Sequence, residues 1–362
     1  MKRISAYLRL LARCLWVQAL AWSGCLRWAE RRLRDSGAIV PLTFHRVLDD
    51  DSYLRTNSLP GIVIRESTFR ELVKYVVDHC ESVAFGDATP GRPCQMIRIA
   101  FTFDDGWRDN YTTAFPIVRS FKVPATIFVC PGVLGRTTPF WPEHILALLR
   151  ATRPNGGVNQ FMEVIESLKR RTPEQREQYI AELSARTPNP IQASPVDRTL
   201  SWDEIVEMDK SGICFGSHTD THQILTAIPA NVAHEEMRHS KAILEQMLGK
   251  PCRTFAYPNG NWSPEAQQVV QRVGFTRAVT TQRGIWTSVT DPLAIPRSNV
   301  CENNVVGITG RFWPAMFTYN VLWKAWLASR RCRAGLKLEN VRVPIAPPAK
   351  NESPVGTASS LK

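Results

Sequence analysis

The chain has 362 residues, of which 44% are hydrophobic, so it can bury a substantial core in one large domain or two smaller ones. Its formal net charge is +12, but residues 1–37 contribute +6 and residues 307–362 contribute +7, which leaves the middle of the chain nearly neutral. A nucleic-acid enzyme is expected to concentrate basic charge around its active site, so this distribution argues against nucleic acid as a partner.

The segment between residues 38 and 306 alternates short apolar strands with amphipathic helices. The predicted strands are AIVPLTFHRV (38–47), MIRIAFTF (96–103), PATIFVC (124–130), ICFGSHT (213–219), TFAYPNG (254–260), RAVTT (277–281) and LAIPRSNV (293–300). Helices are predicted at 67–80, 110–121, 142 to about 187 with breaks, 202–212, 229–249 and 263–274. This alternation predicts an α/β fold with a parallel sheet covered by helices, and seven strands favour a closed or nearly closed barrel.

Polar residues occur where the predicted strands end. His45 ends the first strand, Asp104 and Asp105 end the second, and SHTDTH and YPNG end two later ones. Because reactive groups of such barrels gather at the carboxyl ends of the strands, we expect these four segments to meet on one face.

His218 and His222 are four residues apart, so on a helical turn, or on a loop of similar shape, they can bind one divalent ion together. Asp105 is the natural third ligand, and this nitrogen and oxygen set favours zinc. A cation between the groups would allow both adjacent carboxylates to ionise, which leaves Asp104 free to act as a general base.

Each of these motifs has an ordinary structural alternative when taken alone. An isolated HxxxH pair is more often two unrelated histidines, and paired aspartates after a strand often cap a helix. The glutamate of the HExxH zincins is also absent, since residue 219 is Thr. The combination of both motifs at matched strand ends favours the metal site.

TFDDG, SHTDTH and FAYPNG, in this order, resemble the motifs of the polysaccharide deacetylases, the NodB-homology domains of carbohydrate esterase family 4. PATIFV, LSWDEIVEM, HQILT and GFTRAVTT extend the resemblance over about residues 38–300. The resemblance implies a distorted (β/α)7-type barrel and metal-dependent removal of N-acetyl groups from a glycan.

The resemblance also implies roles for individual residues. Asp104 corresponds to the base, and Asp105, His218 and His222 correspond to the metal ligands. A backbone N–H of the YPNG loop, near Asn259, would bind the oxyanion.

Two features of the family are missing from this chain. Ala256 and Tyr257 stand where many members have an arginine that orients the base, and Arg253 or Arg297 could replace it. Pro296 stands in the late motif that often supplies an acidic histidine.

The early LTFHRV segment offers a replacement for that histidine. It is similar to a motif of the poly-β-1,6-N-acetylglucosamine deacetylase branch, which implies that His45 is the general acid. The alternative is a strand-end histidine that makes only local hydrogen bonds.

Substrate-binding roles are predicted for Trp107, Tyr257, Trp262 and Arg297. Trp107 lies beside the carboxylates and Trp262 follows YPNG, so either indole could stack on a sugar ring, although most large aromatic side chains only pack.

We therefore expect a metal-dependent N-deacetylase of polysaccharide biosynthesis that acts on an N-acetylglucosamine-type glycan, free or lipid-linked. An O-acetyl esterase and a catalytically silent glycan-binding scaffold are the alternatives. The intact Asp-Asp-His-His set argues against the silent scaffold.

The two ends of the chain are predicted to form basic amphipathic helices, over 1–37 and 307–341, followed by a disordered tail over 342–362. On a helical projection of 1–37, basic residues and apolar residues form two separate stripes; the basic ones are Lys2, Arg9, Arg13, Arg27, Arg31 and Arg34, and the apolar ones are Ile4, Leu8, Leu11, Leu15, Trp22, Leu26 and Leu33. This pattern is typical of a helix that lies on an anionic membrane. The alternative is that these helices pack against the barrel.

Cysteine usage bears on the compartment. The nine cysteines are odd in number and include no CxxC pair, which favours a reducing environment and so the cytoplasmic face of a membrane. The longest uncharged run near the N-terminus has 13 residues, which is short for a spanning helix and atypical of a secretory signal.

The remaining segment, near 151–200, is predicted to be a helical insertion into the catalytic domain of 38–306.

Overall fold

The computed structural model describes residues 2–59, 61–136, 140–187 and 196–333. Within these ranges the chain forms one main parallel sheet, a two-stranded sheet and fourteen α-helices. The strands are β1 Ile39–Phe44, β2 Arg46–Leu48, β3 Val63–Arg65, β4 Cys80–Ser82, β5 Ile97–Phe103, β6 Ala125–Val129, β7 Cys214–Ser217, β8 Thr254–Ala256, β9 Arg277–Val279 and β10 Ser298–Asn299. The helices are α1 Lys2–Trp22, α2 Cys25–Asp35, α3 Asp50–Arg55, α4 Glu66–His79, α5 Phe115–Ser120, α6 Trp141–Thr152, α7 Val158–Leu168, α8 Pro173–Ala185, α9 Trp202–Lys210, α10 Ala230–Leu248, α11 Pro264–Val273, α12 Glu302–Val305, α13 Pro314–Phe317 and α14 Lys324–Arg333.

The main sheet has the order β10-β1-β5-β6-β7-β8-β9, with β4 paired to the beginning of β5, and all its ladders are parallel. A parallel bridge joins Val279 to Ile295, and Ser298 pairs with Leu42, so the segment 295–299 contacts both edges of the curled sheet. The arrangement confirms the predicted distorted (β/α)7-type barrel. Only Ser298 and Asn299 of the predicted last strand form a ladder, because Pro296 has no N–H and the N–H of Arg297 donates to Gln282.

A cluster of phenylalanines holds β1 and β5 together below their carboxyl ends. Phe44 stacks on Phe101 and Phe103 with centroid distances of 5.6 and 5.3 Å and meets the edge of Phe69 from α4 at 5.2 Å. All four side chains are buried, and each contributes about 1.5–3 kcal/mol by leaving water. This packing fixes the two strands from which His45 and the paired aspartates emerge.

The predicted single helix over 1–37 is wrong, since Gly24 breaks it into α1 and α2 with a left-handed φ of 78°. Leu26 and Leu33, which the sequence placed on a lipid-facing stripe, are instead buried. Helix α2 therefore packs against the rest of the protein, which was the alternative to lying on a membrane.

Helix α1 uses two faces differently. Cys14 and Val17 pack with Met316 of α13 in a small apolar cluster, while the side chains of Leu15 and Trp22 are 63% and 80% exposed. The side chains of residues 2–7 lie outside the described part of the structure. Among the described helices, none is long and apolar enough to cross a membrane.

The C-terminal helical segment begins at Pro314, seven residues after the predicted start at 307, and its described part is mostly internal. Helix α13, a π-helical turn at Thr318–Trp323 and α14 follow one another, and their buried residues include Phe317, Val321 and Trp326. The predicted continuation to residue 341 and the predicted disordered tail lie outside the described residues.

The helical insertion between β6 and β7 has its own small core. Helices α6, α7 and α8 pack through buried apolar side chains, namely Ile145, Leu146, Leu148, Leu149, Phe161, Ile165, Leu168, Ile180 and Leu183. The insertion begins with α6, ten residues before the predicted start at 151, and residues 188–195 of it lie outside the description. It forms a wall beside the carboxyl end of the sheet, where the polar residues gather.

Candidate active site

The carboxyl ends of three parallel strands bring four of the predicted polar residues together. His45 follows β1, Asp104 and Asp105 follow β5, and His218 follows β7. A fifth group, Arg297, comes from the segment before β10. The site is built where the strands end, as the sequence predicted.

Asp105, His218 and His222 form the one described cluster whose side chains could hold a metal ion, with their ligand atoms within 4.8 Å of one another. The Oδ1 atom of Asp105 lies 3.4 Å from Nε2 of His218 and 3.3 Å from Nε2 of His222. Ligands at zinc-like distances in a tetrahedron are separated by about 3.4 Å, so the three atoms fit one divalent ion.

Hydrogen bonds to residues outside the cluster orient the side chains of His218 and Asp105. The Nδ1 atom of His218 lies 2.8 Å from the carbonyl of Ala256, which turns its Nε2 toward Asp105. The indole N–H of Trp107 donates to Oδ2 of Asp105 at 3.0 Å. Such contacts fix the orientation of ligands in metal sites.

The loop that carries both histidines is not helical. Asp105, Thr219 and His222 have left-handed φ values of 75°, 64° and 63°. This conformation costs on the order of 1–3 kcal/mol at a residue with a side chain, and it concentrates at functional sites. For the β-branched Thr219 it is unusual, and it is what lets the two imidazoles converge without a helical turn.

Asp105 remains ionised despite its burial. Burial raises the pKa of its carboxyl, but hydrogen bonds from His218 and His222 outweigh burial and hold the pKa well below its ordinary value. The donor set is therefore one carboxylate and two imidazoles, which suits a divalent cation with open coordination positions.

Asp104 and Arg297 form a buried bidentate ion pair. The two guanidinium Nη atoms donate to the two carboxylate oxygens at 2.8 and 2.6 Å, while the Nε atom of Arg297 donates to the carbonyl of Thr280 at 3.0 Å. Burial raises the pKa of Asp104, but the charge and hydrogen bonds of Arg297 outweigh it and lower the pKa below its ordinary value.

The predicted substrate-binding role of Arg297 is therefore wrong, because its side chain is fully buried against Asp104. Arg297 takes instead the orienting position that the sequence left open between it and Arg253. The side chain of Arg253 is exposed.

His45 lies beside this pair, with Nε2 4.0 Å from Oδ2 of Asp104. Burial lowers the pKa of His45, and the nearby carboxylates of Asp105 and Asp104 offset this only in part. Its Nδ1 has no hydrogen-bond partner among the described residues, so the satisfied-histidine alternative lacks the local bonds that it requires.

The other four residues predicted to contact substrate or the oxyanion, Trp107, Tyr257, Asn259 and Trp262, have different surroundings. Trp107 and Tyr257 are fully buried, so their predicted contact with substrate is wrong. The indole N–H of Trp107 donates to Asp105, and the hydroxyl of Tyr257 donates to the carbonyl of Leu293 at 3.0 Å. Trp262 is half-buried against the central core. Asn259 has a left-handed φ of 57°, and its carbonyl accepts from Thr281, so its oxyanion role stays a prediction.

The sequence did not single out Arg46, a fully buried cation behind the site. Its Nε donates to Asp109 at 2.9 Å, its Nη1 contacts Asp197, and its guanidinium lies 4.2 Å above the ring of Trp107. Asp197, Arg46, Trp107 and Asp105 thus form one connected chain of contacts. The partners are 63 and 151 residues from Arg46, which is why no local pattern shows the network.

Glu143 of α6 is a second buried group that the sequence did not indicate. Its carboxyl lies in the apolar start of the insertion, and burial together with the charge of Asp105 raises its pKa to about 8. This raised pKa favours the protonated, uncharged form of Glu143.

Comparisons with known proteins are consistent with this geometry. A family model described as polysaccharide deacetylase matches residues 93–278, which include Asp104, Asp105, His218 and His222 but neither His45 nor Arg297. Bacillus subtilis YxkH, which carries the name of a polysaccharide deacetylase, is 24% identical over 198 residues, or 55% of this chain. The chain spans about half, 48%, of that relative.

Two solved structures share the fold. The Streptococcus pyogenes deacetylase PplD, solved in complex with acetate, gives a TM-score of 0.51 at 18% identity and covers 75% of this chain and 96% of its own. IcaB from Ammonifex degensii gives 0.50 at 21% identity and covers 74% of this chain and 94% of its own.

Replacing Arg297 with Gln should lower the free energy of unfolding by about 3–5 kcal/mol at neutral pH, because it leaves the buried charge of Asp104 unpaired. The deficit should shrink as the pH falls. In the variant, burial raises the pKa of Asp104, so its carboxylate becomes protonated at a higher pH and the unpaired charge is removed. In the wild type, the ion pair is lost only when the pH falls through the lowered pKa of Asp104. Urea unfolding at several pH values measures both effects.

A matched control is Arg238→Gln, which breaks an exposed ion pair with Glu235 of similar length, 2.7 Å, and should change stability little. An equal loss in both variants, or a deficit in Arg297→Gln that is independent of pH, would contradict this interpretation of the buried pair.

Proposed function

This chain belongs to the polysaccharide deacetylase family, and we propose that it hydrolyses the acetamido groups of an N-acetylated, N-acetylglucosamine-type glycan in polysaccharide biosynthesis. The observation that carries the proposal is the side-by-side arrangement of two differently held carboxylates. Asp105 lies with two histidine nitrogens, and Asp104 is held ionised by Arg297. The sugar and its linkage to lipid, if any, belong to the proposal.

We propose Zn²⁺ as the bound metal, because one carboxylate and two imidazoles are a common donor set of catalytic zinc. A divalent cation held by Asp105, His218 and His222 would supply a Lewis acid that polarises the acetyl carbonyl and eases deprotonation of water.

Asp104 serves as the general base in this proposal. Its oxygens are ionised, and each keeps a second lone pair beyond the bond from Arg297, so one can accept a proton from the attacking water. Arg297 keeps the carboxylate from rotating, which positions that lone pair.

His45 serves as the general acid. An amine is a poor leaving group unless it is protonated, so the C–N bond can break only when a proton reaches the nitrogen. The lowered pKa of His45 makes its protonated imidazole a strong proton donor. Water thus adds its oxygen to the acetyl carbon, Asp104 takes one proton, and His45 gives one to the departing nitrogen, which leaves acetate and a free amino sugar.

We further propose that the two ends of the chain place the enzyme on the cytoplasmic face of an anionic membrane. The exposed side chains of Leu8, Leu15 and Trp22 recur every seven residues, so they form one apolar line on α1 opposite the face that packs inward. Eight described cysteines are free, which suits a reducing compartment.

A cavity of about 570 Å³ between α1 and the C-terminal helical segment also supports the proposal. Its walls include Trp16, Tyr319 and Trp323, and its cationic residues are Arg283, Lys324 and Arg331. No described carboxylate lies within ion-pair distance of these three cations, so the cavity matches the anionic headgroup and first apolar carbons of a phospholipid.

The proposed reaction is tested by acetate release from N-acetylglucosamine oligomers and from O-acetylated sugars, together with metal analysis. Chelator should abolish activity on the N-acetyl substrate, and His218→Ala should lose both metal and activity. Asp104→Asn should keep the metal and lose roughly two to four orders of magnitude in kcat, the usual contribution of a positioned base.

His234→Ala, at an exposed histidine outside the site, is the matched control and should behave like wild type. Activity on O-acetyl sugars alone would make the protein an esterase. Full metal content in His218→Ala would remove that residue from the ligand set.

His45→Ala should keep the metal and lower the kcat for amide hydrolysis at least tenfold more than the kcat for hydrolysis of a matched acetyl ester, because an alcohol leaves with less help from an acid than an amine. Parallel assays on the two substrates measure this ratio. Equal losses on both would mean that His45 does not protonate the leaving group, and loss of metal would make it a ligand.

Membrane attachment is tested by co-sedimentation with liposomes that contain phosphatidylglycerol. Leu15→Gln combined with Trp22→Gln should weaken binding about tenfold or more, since burial of one such side chain contributes about 1.5–3 kcal/mol. Leu54→Gln combined with Val289→Gln, at sites that are 77% and 76% exposed elsewhere, is the control. If the wild-type protein stays in the supernatant at low salt, attachment through α1 is wrong.

A further inference from the structure

A cleft of about 420 Å³ lies between the helical insertion and the loop that carries the second histidine. Trp141 of α6 and Arg176 of α8 line one side, and Thr221, His222 and Gln223 line the other. Because His222 belongs to both the cleft and the proposed metal site, a group bound in the cleft lies next to the reacting sugar. The volume falls in the range of about 300–1,000 Å³ that small ligands occupy.

Arg176 is buried in this cleft, and none of the described carboxylates forms an ion pair with it. Its side chain is only 4% exposed, and it has one hydrogen bond, from Nη2 to the Oε1 atom of Gln223 at 3.1 Å. Its Nη1 is buried and has no hydrogen-bond partner in the described part of the chain. Burial lowers the pKa of Arg176, and Glu177 and Glu174 offset this only in part.

The other two arginines that are buried in the described part of the chain each pair with a carboxylate. Arg46 pairs with Asp109 and Asp197, and Arg297 pairs with Asp104. Within the described ranges, Arg176 has no carboxylate within 4.0 Å. A buried cation with no oppositely charged group in contact costs several kcal/mol of stability, so its presence beside the proposed catalytic site indicates that a ligand supplies the missing charge.

Trp141 adds a second donor without an acceptor. Its ring lies 5.0 Å from the guanidinium of Arg176, and its indole N–H has no hydrogen-bond partner among the described residues. Arg136 and His144 also line the cleft, and its one acidic lining residue, Glu177, is exposed at the edge. The cleft therefore offers donors and positive charge, which match a ligand rich in acceptor oxygens.

We propose that this cleft is a specificity subsite for an oxyanion group, a carboxylate or a phosphate, on the glycan unit next to the acetamido sugar, with Arg176 as its anchor. The subsite rests on the proposed function for the identity of the neighbouring sugar. In this proposal the insertion selects the substrate. Helices α6 and α8 present the buried guanidinium of Arg176 to a negatively charged glycan, so neutral glycans bind less tightly.

Calorimetric binding to chelator-treated protein tests the subsite without turnover. Two matched pairs of probes are compared: a neutral N-acetylglucosamine oligomer with an oligosaccharide of the same length that alternates N-acetylglucosamine with glucuronate, and N-acetylglucosamine with N-acetylglucosamine 1-phosphate. An anionic probe should bind about 10- to 100-fold tighter than its neutral counterpart, the usual effect of a charge-assisted hydrogen bond. The tighter of the two anionic probes identifies the source of the oxyanion.

Arg176→Gln should abolish this preference by weakening the anionic probes to the affinity of their neutral counterparts, whereas Arg176→Lys should keep part of it. Equal affinity of wild type for neutral and anionic probes would overturn the subsite. If the preference exists and depends on Arg176 but no acetate is released from any substrate, the subsite stands and the proposed deacetylation fails.

Thermal stability distinguishes a ligand anchor from a structural cation. Arg176→Met removes an unpaired buried charge and should melt at the same temperature as unliganded wild type or higher, whereas Arg46→Met breaks a paired network and should melt lower. A lower melting temperature for Arg176→Met would mean that its charge is already compensated within the protein, which would overturn the proposal.

Discussion

Two adjacent buried carboxylates follow β5, and the surrounding structure keeps both ionised. Burial alone would protonate Asp104 and Asp105, so each needs its own source of positive charge or hydrogen bonds. Arg297 reaches Asp104 from the segment before β10, and the two histidines reach Asp105 from the loop after β7. These segments lie on opposite sides of β5 in the sheet, so the strand order itself separates the two carboxylates into different roles.

Behind this pair, a second buried cation connects the site to the insertion. Arg46 contacts Asp197, which follows the insertion in sequence, and also covers the ring of Trp107, which in turn donates to Asp105. The orientation of one proposed metal ligand thus depends on a residue that lies 92 positions later in the chain. The segment that follows the insertion thus supports the site, while α6 and α8 of the insertion line the neighbouring cleft.

The additions to the barrel combine buried packing faces with exposed side chains. Helix α2 and the C-terminal helices bury apolar side chains against the barrel, while α1 leaves a line of large apolar residues uncovered. In the insertion, α6 and α8 bury most of their apolar residues but keep Arg176 and Trp141 directed at the cleft. In α1 and in the insertion, the buried apolar face stabilises the helices. This stability offsets the cost of the exposed apolar residues of α1 and of the buried Arg176 in the insertion.

The sequence by itself determined the barrel and the polar residues at its strand ends, because the alternation of apolar segments and the TFDDG and SHTDTH motifs are local patterns. Only the tertiary structure decided that Arg297 orients Asp104 and that Tyr257 and Trp107 are buried, since these roles depend on contacts between distant segments. Arg297 and Asp104 are 193 residues apart, and no periodicity links them. Helix α1 shows the same division: its amphipathic pattern is visible in the sequence, but the break at Gly24 and the choice of the packed face depend on what lies beneath the helix.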